Sequence, residues 1–231
     1  MVILKPDKVI VVDSSSIITI SDNCLIKIIK HLSEMNGITF VIPESVYEES
    51  VIHPLSIKQY EFNAIRIKDA VEEGYLKIIK TSQNVKNMME IINDVSYGIC
   101  YANGKPIRLI QRGETEALAL AKDLKAKILL VDERTTRMLI EDPYSMRTFL
   151  ENRHKKKITI QTETAKKFMN MFNDINIVRS VELIALAYET GAFEKEIHKS
   201  KQSLEASLWA AKFSGCAVSE EEIYEYLASL K

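Results

Sequence analysis

Short, unbroken apolar runs of strand length alternate with longer helical stretches through most of the chain, and this rhythm leaves few folds open. Val9 to Val12, Ile38 to Ile42, Leu76 to Ile79, Ile128 to Val131 and Ile175 to Val178 are rich in Ile, Val and Leu and show no polar alternation. A strand with one wet face would alternate apolar with polar, so continuous apolarity predicts burial on both faces, as in a parallel sheet covered by helices. The expected architecture is α/β: a three-layer α/β/α sandwich around a central parallel sheet of about five strands, followed by C-terminal helices.

The segments between these runs read as helices. Leu25, Ile28, Ile29 and Leu32 recur at helical spacing, as do Ala64, Ile67 and Val71 before Gly74, which can end a helix in a left-handed conformation. Pro43 follows the second run and suits a first helical position, so a helix carrying Glu44 to Val51 is expected to begin at once. Gly113 introduces Glu114 to Leu124, apolar nearly all round and so expected to be central and buried. From Pro143 to Phe172 the pattern loosens into basic and polar material, expected as an insertion at about 143–172 within an α/β domain of residues 1–191. Residues 192–231 are expected as a helical extension on the same core. The last three helices are Val181 to Tyr188, Leu204 to Phe213 and Glu220 to Leu230, with Ser219 as N-cap of the third. Trp209, Tyr224 and Tyr226 fall at helical spacing and are expected to pack these helices together or to form an oligomer interface.

At 231 residues, 46% hydrophobic and 27% charged, the chain can bury a large core. No stretch approaches the roughly 20 apolar residues of a membrane helix, and Met1 to Lys8 lacks the apolar run of a secretion signal, so a cytoplasmic protein without membrane contact is expected. Cys24, Cys100 and Cys216 have no C-x-x-C spacing and are expected to be buried small hydrophobes. His31, His53, His154 and His198 are scattered without metal-ligand spacing. A formal net charge of −1 excludes a global basic field but permits a local basic patch beside an acidic pocket.

Chemistry is expected where carboxylates converge. Asp13 ends the first strand before Ser14, Ser15 and Ser16, and Asp132 ends the fourth in the same manner. Ligands of open parallel sheets gather beyond the carboxyl ends of strands, so the two acids should be close if their strands are neighbours. Helix capping is the bland alternative for Asp13. In Pro43 to Glu49, Glu44 and Glu48 are four apart and share a helical face, with Glu49 rotated by roughly 100°; Glu48 is favoured, with Glu44 and Glu49 as substitutes. Glu114 and Glu116 open the apolar helix, two apart on different faces, so one of them is expected in the pocket. First-turn acids also complement a helix dipole, which would make them merely structural. Such an all-oxygen set suits Mg²⁺ or Mn²⁺, ions that activate water and stabilise a phosphodiester in flight.

The ordered set Val11-Val12-Asp13-Ser14-Ser15, Pro43 through Glu49, Gly113-Glu114-Thr115-Glu116-Ala117 and Leu130-Val131-Asp132-Glu133-Arg134 resembles a PIN domain over roughly Lys8 to Gly191. The resemblance implies a metal-dependent nuclease, most often a ribonuclease, and in many prokaryotic members a toxin held by a cognate antitoxin protein. Carried over by position, the family's acidic quartet falls on Asp13, Glu48, Glu116 and Asp132, with Glu114 competing for the third place and Ser15 as a helper near the metal. The third acid is often aspartate in the family, and the insertion and C-terminal helices exceed a minimal PIN toxin.

Cations should line the approach to an acidic pocket that takes phosphate. The candidates are Arg108 and Arg112 upstream of Glu114, Arg134 beside Asp132, Lys155 and Lys156 within the run Arg153 to Lys157, and Lys166 and Lys167; a solvated charged face is the bland reading. The sequence thus points to a cytoplasmic endoribonuclease of single-stranded RNA, a homo-oligomer with an antitoxin-like partner. Its rivals are a catalytically silent PIN-fold module binding RNA or protein, and a phosphohydrolase on a Rossmann-like fold. A phosphatase of the haloacid-dehalogenase type would want a second aspartate where Ser15 stands, and neither a phosphate-cradling glycine loop nor a nucleophile elbow is present.

Overall fold

The computed structural model describes residues 5–230. Residues 1–4, part of the amino-terminal segment read above, together with Lys231 and the side chain of His154, lie outside the described residues. The chain runs through β1 (Val9–Val12), α1 (Ser14–Asp22), α2 (Lys27–Asn36), β2 (Thr39–Pro43), α3 (Glu44–Tyr47), α4 (Glu61–Glu72), β3 (Leu76–Ile79) and α5 (Gln83–Tyr97). It continues through β4 (Cys100–Ala102), β5 (Lys105–Pro106), α6 (Arg112–Asp123), β6 (Ile128–Leu130), α7 (Arg134–Glu141), α8 (Met146–His154), β7 (Ile158–Ile160), α9 (Thr162–Met171), β8 (Asn176–Val178), α10 (Ser180–Thr190), α11 (Lys201–Phe213) and α12 (Glu220–Ser229).

All five apolar runs are strands of one parallel sheet, in the order β3-β2-β1-β6-β8. Alternate residues of β1 feed two cores: Ile10 and Val12 pack with α1, α2, α4 and the C-terminal helices, while Val9 and Val11 pack with α5, α6, α7 and α9. That double burial is why the strands read as unbroken apolar runs. The outer strands β3 and β8 depart from it, being largely half-buried because each lacks a neighbour on one side. The third layer is tight where α6 lies against β1, β2 and β6. Gly113 to Ala121 are all buried there, and the small Ala117, Ala119 and Ala121 let the helix approach the sheet closely.

The chain leaves β1 for β2 and β3 on one side and later returns to β6 on the other. The β1/β6 boundary is therefore a topological switch point, the place where the carboxyl ends of neighbouring strands open a crevice.

Several local expectations are corrected. Pro43 is the last residue of β2 and the N-cap of α3, not its first helical residue, and Glu48–Ile52 continue α3 as a π-helical turn with His53 N–H donating to Glu48 O at 3.0 Å. The 143–172 segment, expected as an insertion, carries the regular elements α8, β7 and α9, with Met146, Leu150, Ile158, Phe168 and Phe172 buried in the second core. β7 pairs antiparallel with β4, which also pairs with β5 through a turn at Asn103 and Gly104 with φ of 51° and 76°. Cys100 and Cys216 are buried but Cys24 is exposed, in the turn after α1. Ser219 caps α12 as expected, accepting from Glu222 N–H at 3.1 Å. Trp209 stacks on Phe213 and meets Tyr224 edge-on, yet Phe213 is 78% exposed and Tyr224 56% exposed. No described helix is long and apolar enough to cross a membrane.

Candidate active site

β1 and β6 run side by side, Val12 opposite Leu130, and Asp13 N–H extends the ladder by donating to Leu130 O at 2.9 Å. Asp13 is 1% exposed and caps α1: Ser15 donates to its Oδ2 from the backbone N–H at 3.1 Å and from Oγ at 2.7 Å. The Ser15 hydroxyl also accepts from Asp132 N–H at 3.1 Å, tying the two strand ends together. Capping and pocket roles coexist, because these bonds use Oδ2 only. Oδ1 is buried and has no hydrogen-bond partner among the described residues, and a bare carboxylate oxygen in that position is costly unless a proton or a cation joins it.

The second acid comes from the π-helical turn. The wider turn changes which side chains face inward relative to a regular α-helix. Glu44 accepts from Thr81 N–H at 2.9 Å, and Glu48 meets the exposed Arg112 at 3.5 Å. Glu49 is the one whose charge reaches Asp13. Its carboxylate lies against Gly113, so close that a Cβ at that position would stand 2.6 and 2.9 Å from the two oxygens. Glycine at the start of α6 thus leaves room for an acid from another helix.

The third acid is Glu114. It is 8% exposed, and one oxygen accepts from Gln111 N–H at 2.5 Å across the first turn of α6. Glu116 goes elsewhere: it accepts from Ser45 N–H at 3.2 Å and from the Thr81 hydroxyl, bracing the start of α3 against the end of β3. The two glutamates do face different ways, as their spacing requires, and Glu114 is the one beside Asp13.

Electrostatic repulsion couples the members of this group. Burial pushes the Asp13 carboxyl up to about 6 against the lowering hydrogen bonds of Ser15 and Ser14, and the charge of Glu49 adds to the rise. Burial, then the charge of Asp13 and that of Glu133, pushes Glu114 up to about 7, although the Gln111 hydrogen bond lowers it. Glu133, which sequence reasoning passed over in favour of Asp132, is the N-cap of α7 and accepts from Thr136 N–H at 2.8 Å. The signal for it was an acid at a strand-to-helix junction on the reacting edge.

Asp132 stands at the strand end as its position predicts, and its carboxylate is engaged by Ser180. Oδ1 accepts from Ser180 N–H and Oδ2 from Ser180 Oγ, both at 2.7 Å, so Asp132 holds the start of α10. Of the expected acids, the structure brings Asp13 and Glu114 together with Glu49, the substitute for Glu48, and with the unexpected Glu133, while Glu48, Glu116 and Asp132 are engaged with Arg112, Ser45 and Thr81, and Ser180.

The cations are at different distances from it. Arg112 and Arg134 are the first residues of α6 and α7, both exposed, and the Arg134 guanidinium lies 4.7 Å from the Phe149 ring centroid. Arg108 donates to Ile110 O at 3.1 Å, while Lys155, Lys156, Lys166 and Lys167 are exposed on the α8–β7–α9 segment.

A buried carboxylate oxygen without a partner, beside a second buried carboxyl that is hard to ionise, fits a hard divalent cation bound through oxygen. Among the described residues no three Asp, Glu, His or Cys stand at metal-ligand spacing, so the fit rests on the donor chemistry of Asp13 and Glu114 alone. A family model described as a PIN domain matches residues 9–142, more than half of the chain. No curated protein and no solved structure matches the chain.

Proposed function

The chain belongs to the PIN-domain family, and from that premise we propose that it is a Mg²⁺- or Mn²⁺-dependent endoribonuclease acting on single-stranded RNA. The observation that supports this reading above the others is the buried, unpartnered Oδ1 of Asp13 at the β1/β6 switch point, with Glu49 and Glu114 beside it.

Asp13, Glu49 and Glu114 would hold the ion, with Glu133 at the rim. When bound, such an ion supplies a water activated for attack and neutralises charge on the phosphodiester. The protein's own contribution is positioning. Ser15 fixes Asp13 through Oδ2 and leaves Oδ1 free of hydrogen bonds. The N-termini of α6 and α7 both open on this edge, and their dipoles favour the negative charge gathered there. Arg112 and Arg134, at those same starts, are the residues for flanking phosphates.

The competing reading, a PIN-fold module that binds RNA or protein without cutting it, draws on Glu116 and Asp132 being engaged with Ser45, Thr81 and Ser180. Cleavage of mixed-sequence single-stranded RNA in Mn²⁺ or Mg²⁺, compared across wild type, Asp13→Asn and Glu114→Gln, decides between the two. The nuclease reading expects metal-dependent cleavage that falls at least a hundredfold in both variants. Equal activity in all three, or none in wild type, would sink it.

A further inference from the structure

The α8–β7–α9 segment carries chemistry that the acid group does not use. β7 is an outer strand of the sheet β5-β4-β7, so one edge of Ile158–Ile160 pairs with no other described strand. Along that edge runs a groove of about 410 Å³, lined among others by Tyr144, Arg147, Lys157, Thr159 and Thr162. All five are exposed.

The charge here is one-sided. From Pro143 to Ile160 the chain carries Arg147, Arg153, Lys155, Lys156 and Lys157 against Glu151 alone, in a protein of formal net charge −1. Glu151 is already engaged, accepting from Ile158 N–H at 3.0 Å and from Arg147 Nε at 3.3 Å. The neighbouring acids are paired too: Asp142 with the backbone and hydroxyl of Ser145, and Glu163 with Lys166 at 3.2 Å. Two cations, two hydroxyls and an exposed tyrosine along an open strand edge are the parts with which proteins hold single strands: charge tracks the phosphates and a ring takes a base. An acidic peptide would use the cations but has no need of the ring.

α7 and α8 meet between the acid group and the groove. α7 starts beside Glu133, and its first residue, Arg134, lies over Phe149 of α8, the helix that forms one wall of the groove. We infer that the groove between α8 and β7 binds a single-stranded polynucleotide, with phosphates on Arg147 and Lys157 and a base against Tyr144, outside the acid pocket. Only the description of that strand as substrate rests on the nuclease reading; the binding does not.

The test is fluorescence anisotropy of a labelled 12-nucleotide single-stranded RNA with the full chain in EDTA, between 50 and 200 mM salt. Arg147→Gln/Lys157→Gln is expected to raise Kd at least tenfold at the lower salt and to reduce the log–log salt slope by about 1.4, since each single-strand phosphate contact is worth about 0.7. Tyr144→Ala is expected to weaken binding about fivefold or more, while the charge-conserving Arg147→Lys/Lys157→Arg binds like wild type. Lys157→Gln alone, at an exposed position, repeats the test should the double variant fail to fold. Unchanged affinity and slope in the glutamine variants overturn the inference, as does displacement by polyglutamate as effective as by unlabelled RNA. Cleavage assayed in parallel separates the two readings: normal cleavage with unaltered binding in the glutamine variants removes the groove alone. No cleavage by wild type, with binding lost in those variants, removes the nuclease alone.

Discussion

Two adjacent glutamates with opposite fates decide the chemistry at the residue scale. Both are half-buried, but Glu48 meets the exposed Arg112 at 3.5 Å, while Glu49 lies against Gly113 beside Asp13. Glu49→Gln is therefore expected to lower metal-dependent cleavage at least a hundredfold and Glu48→Gln by no more than about threefold, since an exposed ion pair contributes little. Equal losses in initial rates would overturn this assignment. Gly113→Ala tests it from the other side: alanine favours a helix over glycine by roughly 1 kcal/mol, but its Cβ would stand 2.6 Å from a Glu49 oxygen. Thermal stability should hold while cleavage falls, because the flexible carboxylate yields before the backbone does. The sequence favours Glu48, with Glu44 and Glu49 as substitutes, on the assumption of regular α-helical rotation from Glu44. A π-helical turn at Glu48–Ile52 breaks that assumption, and no residue in Glu44 to Ile52 announces it.

Where periodicity was continuous, the elements were legible: all five strands and the buried α6 lie within a residue or so of their expected places. What escaped was held by partners distant in sequence. β7 exists because it pairs with β4, and β4 with β5 across Asn103-Gly104, a short turn signal that went unread between weakly patterned runs. Asp132 is the same lesson at an element's end, since nothing local to Leu130-Val131-Asp132 reveals that Ser180 will take both carboxylate oxygens. The consequence is that Asp132 anchors α10. Ser180→Ala removes one hydrogen bond to a buried carboxylate, so it should lower stability by about 1.5–3 kcal/mol while cleavage by the folded protein stays within about threefold. Asp132→Asn should destabilise in the same direction and retain more cleavage than Asp13→Asn. Chemical denaturation and initial rates on matched samples check both, and a cleavage loss in Asp132→Asn as deep as that in Asp13→Asn would return Asp132 to the pocket.

At the scale of the whole molecule, the acid group makes stability depend on pH and, on the nuclease reading, on metal as well. Asp13 rises from 3.8 to about 6 and Glu114 from 4.5 to about 7 on folding. A raised carboxyl pKa means that the folded state holds the proton more tightly than the unfolded chain. The resulting stabilisation is complete below about pH 4 and is lost as pH climbs through 6 and 7. At 1.36 kcal/mol per pH unit each group accounts for roughly 3 kcal/mol, and because the two interact their sum is smaller than twice that. In EDTA the unfolding midpoint of wild type should fall between pH 5 and pH 8 by roughly 5–10 °C relative to Asp13→Asn/Glu114→Gln, whose neutral side chains carry no such ionisation. Mg²⁺ added at pH 8 should restore wild type, because a cation neutralises the same repulsion that protons relieve in acid, and should do nothing for the double variant. Parallel pH profiles for the two proteins would show that the buried carboxyls are not under electrostatic strain, and would remove the physical reason for a cation at the β1/β6 switch point.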